Sequence, residues 1–233
     1  MPKSRLHEQG RLRSRPRKTP VAGAAPVGVR VLESDAGPTE GYLYVPAGYR
    51  TENPAPLVLL LHGAGEDARD GLAQLRGQAD EAGIVLLACS SRGPTWDSIL
   101  NRGRYGPDIA TIDLALGDAF SRCAIDPERV GVGGYSDGAS YALTLGLANG
   151  DLFSHVLAFS PGFLTPTGQR GSPRIFVSHG TQDGWLPIDF CSRRVVPRLE
   201  RAGYEVRYRE FEGGHVVPPW IAREAARWLT NRG

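Results

Sequence analysis

Ser136 lies in Gly134-Tyr135-Ser136-Asp137-Gly138, directly after the β-branched run 129–133 and before a stretch of small residues, Ala139, Ser140 and Ala142. G-x-S-x-G on a strand-to-helix turn is the pattern of a nucleophile elbow. The serine occupies a strained turn, and a Cβ at either flanking glycine would collide with the neighbouring strand or helix. The helix start aims free N–H groups and the positive end of its dipole at the serine oxygen.

An alcohol is a weak nucleophile and needs a base, which in turn needs a group to orient it. Five histidines are present. His7 falls in an N-terminal basic stretch, while His155 begins a predicted strand and His179 ends one, positions that suit structural roles. His215 follows Gly213-Gly214 after the predicted strand 204–211 and precedes the last helix, on a loop at the C-terminal edge of the sheet. That edge is where open α/β sheets bind ligands. Asp183, in Gly180-Thr181-Gln182-Asp183-Gly184, occupies another such loop and lies between serine and histidine in the chain, the order that an elbow serine's partners follow. Asp151 reads as a turn residue, Asp189 as a helix cap, and Glu212 as the end of its own strand.

Leu61-His62-Gly63-Ala64-Gly65 follows another apolar run, 57–61. A glycine-rich turn there presents unshielded N–H groups to a developing oxyanion. The expected donors are the N–H of Ala64 and that of Asp137, the residue after the serine. Gly63-Ala64-Gly65-Glu66-Asp67-Ala68 also fits the loose dinucleotide pattern G-x-G-x-x-A, with Asp80 or Glu81 downstream. That pattern belongs in the first βα unit, whereas two strands precede it here, and it accounts for neither Ser136 nor His215. Trp96, in the long segment 90–106, Trp185 and Phe163 are candidates to line a substrate pocket, with a packed core position the competing assignment for each. The sequence has no HExxH, Cys/His cluster or EF-hand loop, so no metal and no cofactor is expected.

These residues must be positioned by a sheet. Strands are predicted at 28–33, 41–45, 57–61, 84–89, 129–133, 155–160, 174–178 and 204–211, with helices at 69–82, 107–122, 137–149, 189–202 and 218–231. Two initial strands without a helix predict an antiparallel edge, and the alternation after them predicts a parallel sheet with helices on both faces. The link 161–173 joins two strands without a helix. The expected architecture is one α/β domain over 27–233, without a lid domain, behind a tail over 1–26.

The 233 residues carry 27 basic and 25 acidic side chains, a net charge of +2. Residues 1–18 hold seven of the basic groups and one acid, leaving 20 basic and 24 acidic residues in the rest. A basic tail suits nucleic acid or an anionic membrane. This one has no aromatic residue for base stacking and no apolar face for insertion, so a solvated, flexible tail is expected and nucleic acid is not. The apolar runs are far shorter than the ~18 residues of a membrane span, and no apolar segment follows Met1. Three cysteines cannot complete a disulfide framework. A soluble cytoplasmic protein is expected; oligomeric state leaves no trace in the sequence.

His62-Gly63, Gly-x-Ser136-x-Gly, Asp183 and His215, in that order, resemble the α/β-hydrolase superfamily. Within it, Leu-His-Gly-Ala-Gly, Gly-Gly-Tyr-Ser-Asp-Gly-Ala-Ser, His-Gly-Thr-Gln-Asp and Gly-Gly-His are similar to the small, lidless bacterial esterases of the phospholipase/carboxylesterase group, relatives of dienelactone hydrolases and polyhydroxybutyrate depolymerases. The resemblance spans residues 40–233. It implies Ser136 as nucleophile, His215 as base, Asp183 as its orienter, Ala64 and Asp137 as oxyanion donors, and a small-molecule, lipid or polymer ester as substrate. Serine in place of the cysteine of dienelactone hydrolases disfavours their reaction. Amide or peptide hydrolysis, and ligand binding by a catalytically silent member of the fold, are the competing readings.

Overall fold

The computed structural model describes residues 9–17, 19, 25–32, 41–165 and 168–231. Eight strands form one sheet: β1 (Gly28–Leu32), β2 (Gly41–Val45), β3 (Ala55–Leu61), β4 (Val85–Cys89), β5 (Ile125–Tyr135), β6 (His155–Phe159), β7 (Arg174–Gly180) and β8 (Val206–Phe211). Their spatial order is β1-β2-β4-β3-β5-β6-β7-β8. β2 pairs antiparallel with β1 and β4, and every other pairing is parallel. The predicted mixed α/β sheet is therefore the observed one. β5 starts earlier than its β-branched run implied, because Ile125 already pairs with Ala55 before a register shift.

The helices are α1 (Ala68–Ala82), α2 (Asp97–Leu100), α3 (Pro107–Arg122), α4 (Asp137–Ala148), α5 (Ser192–Arg201) and α6 (Pro219–Thr230). Central strands buried on both faces read as continuous apolar runs, and β3 shows why. Leu57, Leu59 and Leu61 belong to the core on the sheet face that carries α3, α4 and α5, while Val58 and Leu60 belong to the core on the face of α1 and α6. α1 is fixed at its start by a capping box between Asp67 and Asp70 and stopped by Gly83 in the left-handed region, φ 64°. The described parts of 161–173 contain no helix, as expected, whereas 90–106 contains the single turn α2. No helix among the described residues is long and apolar enough to cross a membrane.

The first described segment does not behave as a free tail. Residues 9–17 lie along α3 and α4, with the Leu12 side chain buried. The Leu12 N–H donates to Asn149 Oδ1 at 2.9 Å, and the N–H groups of Arg13 and Ser14 both donate to Asp113 Oδ1 at 2.8 Å. Arg11 forks onto both carboxylate oxygens of Asp151, joined by Arg15. The charge that suggested a solvated arm is partly neutralised on the domain surface, and one leucine among the arginines supplies the apolar anchor. His7 and the rest of 1–8 lie outside the described residues. Leu12→Ala is expected to cost about 2 kcal/mol. That corresponds to a fall in Tm of about 4–8 °C, read by calorimetry, with turnover at 25 °C unaltered because the segment lies on the α3/α4 layer.

Candidate active site

The turn after β5 is built from close backbone contacts. Ser136 has φ 57° and ψ −120°, a left-handed conformation that a non-glycine residue adopts only when its surroundings enforce it. They do so here: a Cβ at Gly138 would fall on the carbonyl oxygens of Leu61 and His62, backbone atoms that no rotamer change can move. Gly138→Ala should therefore cost about 3 kcal/mol or more. A fall in Tm of at least about 6 °C is the expected calorimetric result.

Two loops at the same sheet edge bring the other predicted residues to this serine. His215 Nε2 lies 2.9 Å from Ser136 Oγ, and His215 Nδ1 lies 2.5 Å from Asp183 Oδ2. The Asp183 and His215 loops are zipped together, with Thr181 N–H donating to Phe211 O and Gln182 N–H to Gly213 O. A Cβ at Gly180 would strike the carbonyls of Gly213 and Gly214, so only glycine lets these loops approach. Tyr135 donates its hydroxyl to the His215 carbonyl at 2.6 Å and lays its ring 4.7 Å from the imidazole.

The Asp183 side chain is fully buried. Burial works to raise its pKa, but the Leu186 N–H, the His215 contact and the Trp185 N–H outweigh it and hold the carboxyl below its ordinary value. The competing acids are engaged elsewhere: Asp151 with Arg11 and Arg15, and Asp189 with Arg193. Glu212 is exposed, and no hydrogen bond joins it to His215 among the described residues. Nor does the dinucleotide pattern find support. Asp80 accepts from Tyr44 Oη and the Ala47 N–H, and Glu81 pairs with Arg227, both at the far end of α1.

The N–H groups of Ala64 and Asp137 make no hydrogen bond among the described residues. The turn carrying Ala64 is held by contacts that motif reading missed. Glu66 Oε2 accepts the Gly63 N–H at 2.7 Å, and Pro94 O accepts that of Gly65 at 2.7 Å. Thr95 Oγ1 donates to Asp137 Oδ2 at 2.7 Å, so one residue of the 90–106 loop fastens the start of α4.

Trp96 requires a correction. Its side chain is fully buried, stacked 5.0 Å from Tyr141 and tilted against His62 at 4.8 Å, with Nε1–H donating to His62 O at 2.9 Å. It braces the turn from beneath and reaches no substrate. A loop with few regular elements suggested a pocket lining, but the ring instead fills the core under α2. Phe163 and Trp185 do stand in the open, Trp185 with 84% of its surface exposed. Phe163 is tied to the elbow through Ser140, whose Oγ accepts the N–H groups of Gly162 and Phe163 and donates to Ser136 O.

No family model matches the chain. A curated relative, "Putative esterase NocK" of Nocardia uniformis subsp. tsuyamanensis, is 28% identical over 186 residues, covering 75% of this chain and 54% of its own length. The chain thus spans about half of that relative. Among solved structures, esterase PE8 superposes with a TM-score of 0.65 at 22% identity, over 87% of this chain and 98% of that one. S-formylglutathione hydrolase (FrmB) from Staphylococcus aureus gives 0.69 at 16% identity, over 91% and 99%. The Bacillus cereus carboxylesterase gives 0.58 at 19%, over 82% and 93%. At these identities the likeness establishes a shared fold.

Proposed function

We propose that this chain, an α/β-hydrolase by fold, is a serine hydrolase that cleaves carboxylic esters through an acyl-enzyme. The observation that carries the reading is the unbroken line from Ser136 Oγ through His215 to the buried Asp183 carboxylate. Ester rather than amide chemistry is favoured by the names of the similar proteins, several of them esterases.

The geometry suits each step. His215 Nδ1–H donates to Asp183, leaving Nε2 as the acceptor that faces the serine hydroxyl. As Ser136 Oγ attacks the carbonyl carbon, its proton passes to Nε2, and the Ala64 and Asp137 N–H groups receive the oxyanion. The imidazolium then protonates the leaving alkoxide, and water activated by the same histidine hydrolyses the acyl-enzyme. Phe163 and Trp185 offer apolar contact to the acyl or alcohol group from loops flanking Ser136.

Turnover of a small activated ester such as 4-nitrophenyl acetate, with a pre-steady-state burst, is the expected result. Matched ester and amide substrates separate the two chemistries, and binding without turnover would leave only the silent reading. Activity should rise with pH along one limb, because only a neutral imidazole can accept the serine proton. Asp183, held low, is already a carboxylate throughout that range and adds no second limb near neutrality. A chelator should have no effect; activity lost to chelator and restored by metal would contradict this reading.

A further inference from the structure

Behind the Ser136–His215–Asp183 line stands a second histidine that this chemistry does not use. His179, near the end of β7, is wholly buried. Its Nε2 lies 2.8 Å from the Leu186 carbonyl oxygen and 3.1 Å from Asp183 Oδ2, the oxygen that also faces His215. Its Nδ1 lies 2.5 Å from Ser192 Oγ at the start of α5.

The partners fix the proton positions. A carbonyl oxygen can only accept, so Nε2 must carry a hydrogen, shared between Leu186 O and Asp183 Oδ2. Burial lowers the pKa of His179, which favours the neutral ring. Nδ1 is then an acceptor and receives a hydrogen bond from the Ser192 hydroxyl. Leu186 is consequently held at both ends, its N–H on Asp183 Oδ1 at 2.8 Å and its carbonyl on His179. Among the described residues the Asp183 carboxylate accepts from four groups: Trp185 and Leu186 N–H on Oδ1, His215 and His179 on Oδ2.

We infer that His179, with its Nε2–H tautomer set by the Leu186 carbonyl and its ring steadied by Ser192, is a positioning residue that locks the Asp183 carboxylate toward His215. The inference rests on the serine-hydrolase reading of the site. Two consequences follow. The carboxylate cannot turn away while His215 takes up and releases a proton. The neutral second donor on Oδ2 also draws off part of the negative charge and weakens Asp183's grip on the imidazolium.

The charges around this cluster are few. His179 faces Asp183 and, across it, His215, and is in register with Glu210 of β8, itself engaged by Arg193 of α5. The Cys191 thiol at the start of α5 is pushed up by burial. His215 faces Asp183 and Tyr135, and Tyr135 in turn feels Glu66.

The test compares wild type, His179→Phe, His179→Gln and Ser192→Ala on one small ester across pH. His179→Phe keeps a ring in the core but offers no N–H. It is expected to lower kcat about 10- to 100-fold with KM little changed, and to move the acid limb of the profile upward by about half a unit to one unit. Glutamine can present an amide N–H near the Nε2 position and should restore kcat to within about threefold of wild type with the limb back in place. Ser192→Ala removes a hydrogen bond that steadies the ring but leaves Leu186 O and Asp183 Oδ2 holding the hydrogen on Nε2, so it should lie within about threefold of wild type. A folded His179→Phe with wild-type kcat and limb would overturn the inference, as would a loss that glutamine fails to restore. Should His179→Phe not fold, His179→Leu, which also offers no N–H, takes its place under the same criteria, and failure of Gln overturns the inference as before. An inactive wild type would instead strike the serine-hydrolase reading itself.

Discussion

Ser136→Ala is expected to fold like the parent and to lower kcat for a small ester by about 10⁴–10⁶, the scale on which an activated nucleophile contributes. The fold should survive because the side chain is bonded only at Oγ, to His215 Nε2, while the turn is shaped by backbone contacts among Gly134, Gly138, Leu61 and His62. Alanine leaves those contacts in place and takes on the same φ of 57°. Residual rate would come from the Ala64 and Asp137 N–H groups acting on water attack. The comparison requires matched circular dichroism and melting curves beside single-turnover kinetics. A folded Ser136→Ala enzyme with near-normal turnover would remove the nucleophile from the scheme.

Asp183→Asn should be nearly as severe, for a reason that concerns protons rather than shape. Asp183 Oδ1 accepts two backbone N–H groups, from Trp185 and Leu186, so the amide oxygen of asparagine must stay on that side. The amide NH₂ is then forced into the place of Oδ2, facing His215 Nδ1. Donating there requires an unprotonated Nδ1, which moves the imidazole hydrogen to Nε2, where it points at Ser136 and cannot accept the serine proton. A loss in kcat of about 10⁴ is expected for such a tautomer inversion. The same NH₂ would meet the His179 Nε2–H, two donors head to head, so a lower Tm should accompany the loss. Wild-type kcat in Asp183→Asn would show that Asp183 does not set the tautomer.

The architecture and the line of three side chains were legible because each rests on a local signal. Apolar runs such as 57–61 and 84–89 mark strands buried on both faces, Pro107 opens a helix, and glycines flank Ser136 where backbone meets backbone. Chain order and loop position then separated His215 and Asp183 from their competitors. The parts that were not legible depend on contacts between segments far apart in sequence. Trp96 looked like a loop aromatic, and nothing local says that its ring lies beneath His62 and against Tyr141. The basic N-terminal stretch read as a solvated arm because composition does not reveal Asp113, Asn149 and Asp151 waiting on the α3/α4 surface. The partnership of His179 with Asp183 was one glance away, four residues apart in the same motif, but strand geometry alone pointed it into the core.

Every step above depends on Ser136 being the group that attacks. Its most direct test is stoichiometric labelling with a serine-directed fluorophosphonate, followed by mass spectrometry of the digested protein. The expected result is one label per chain on Ser136, loss of ester turnover in proportion to labelling, and no label on Ser136→Ala. A wild-type protein that hydrolyses the ester yet carries the label on another residue, or stays active when Ser136 is fully modified, would contradict it.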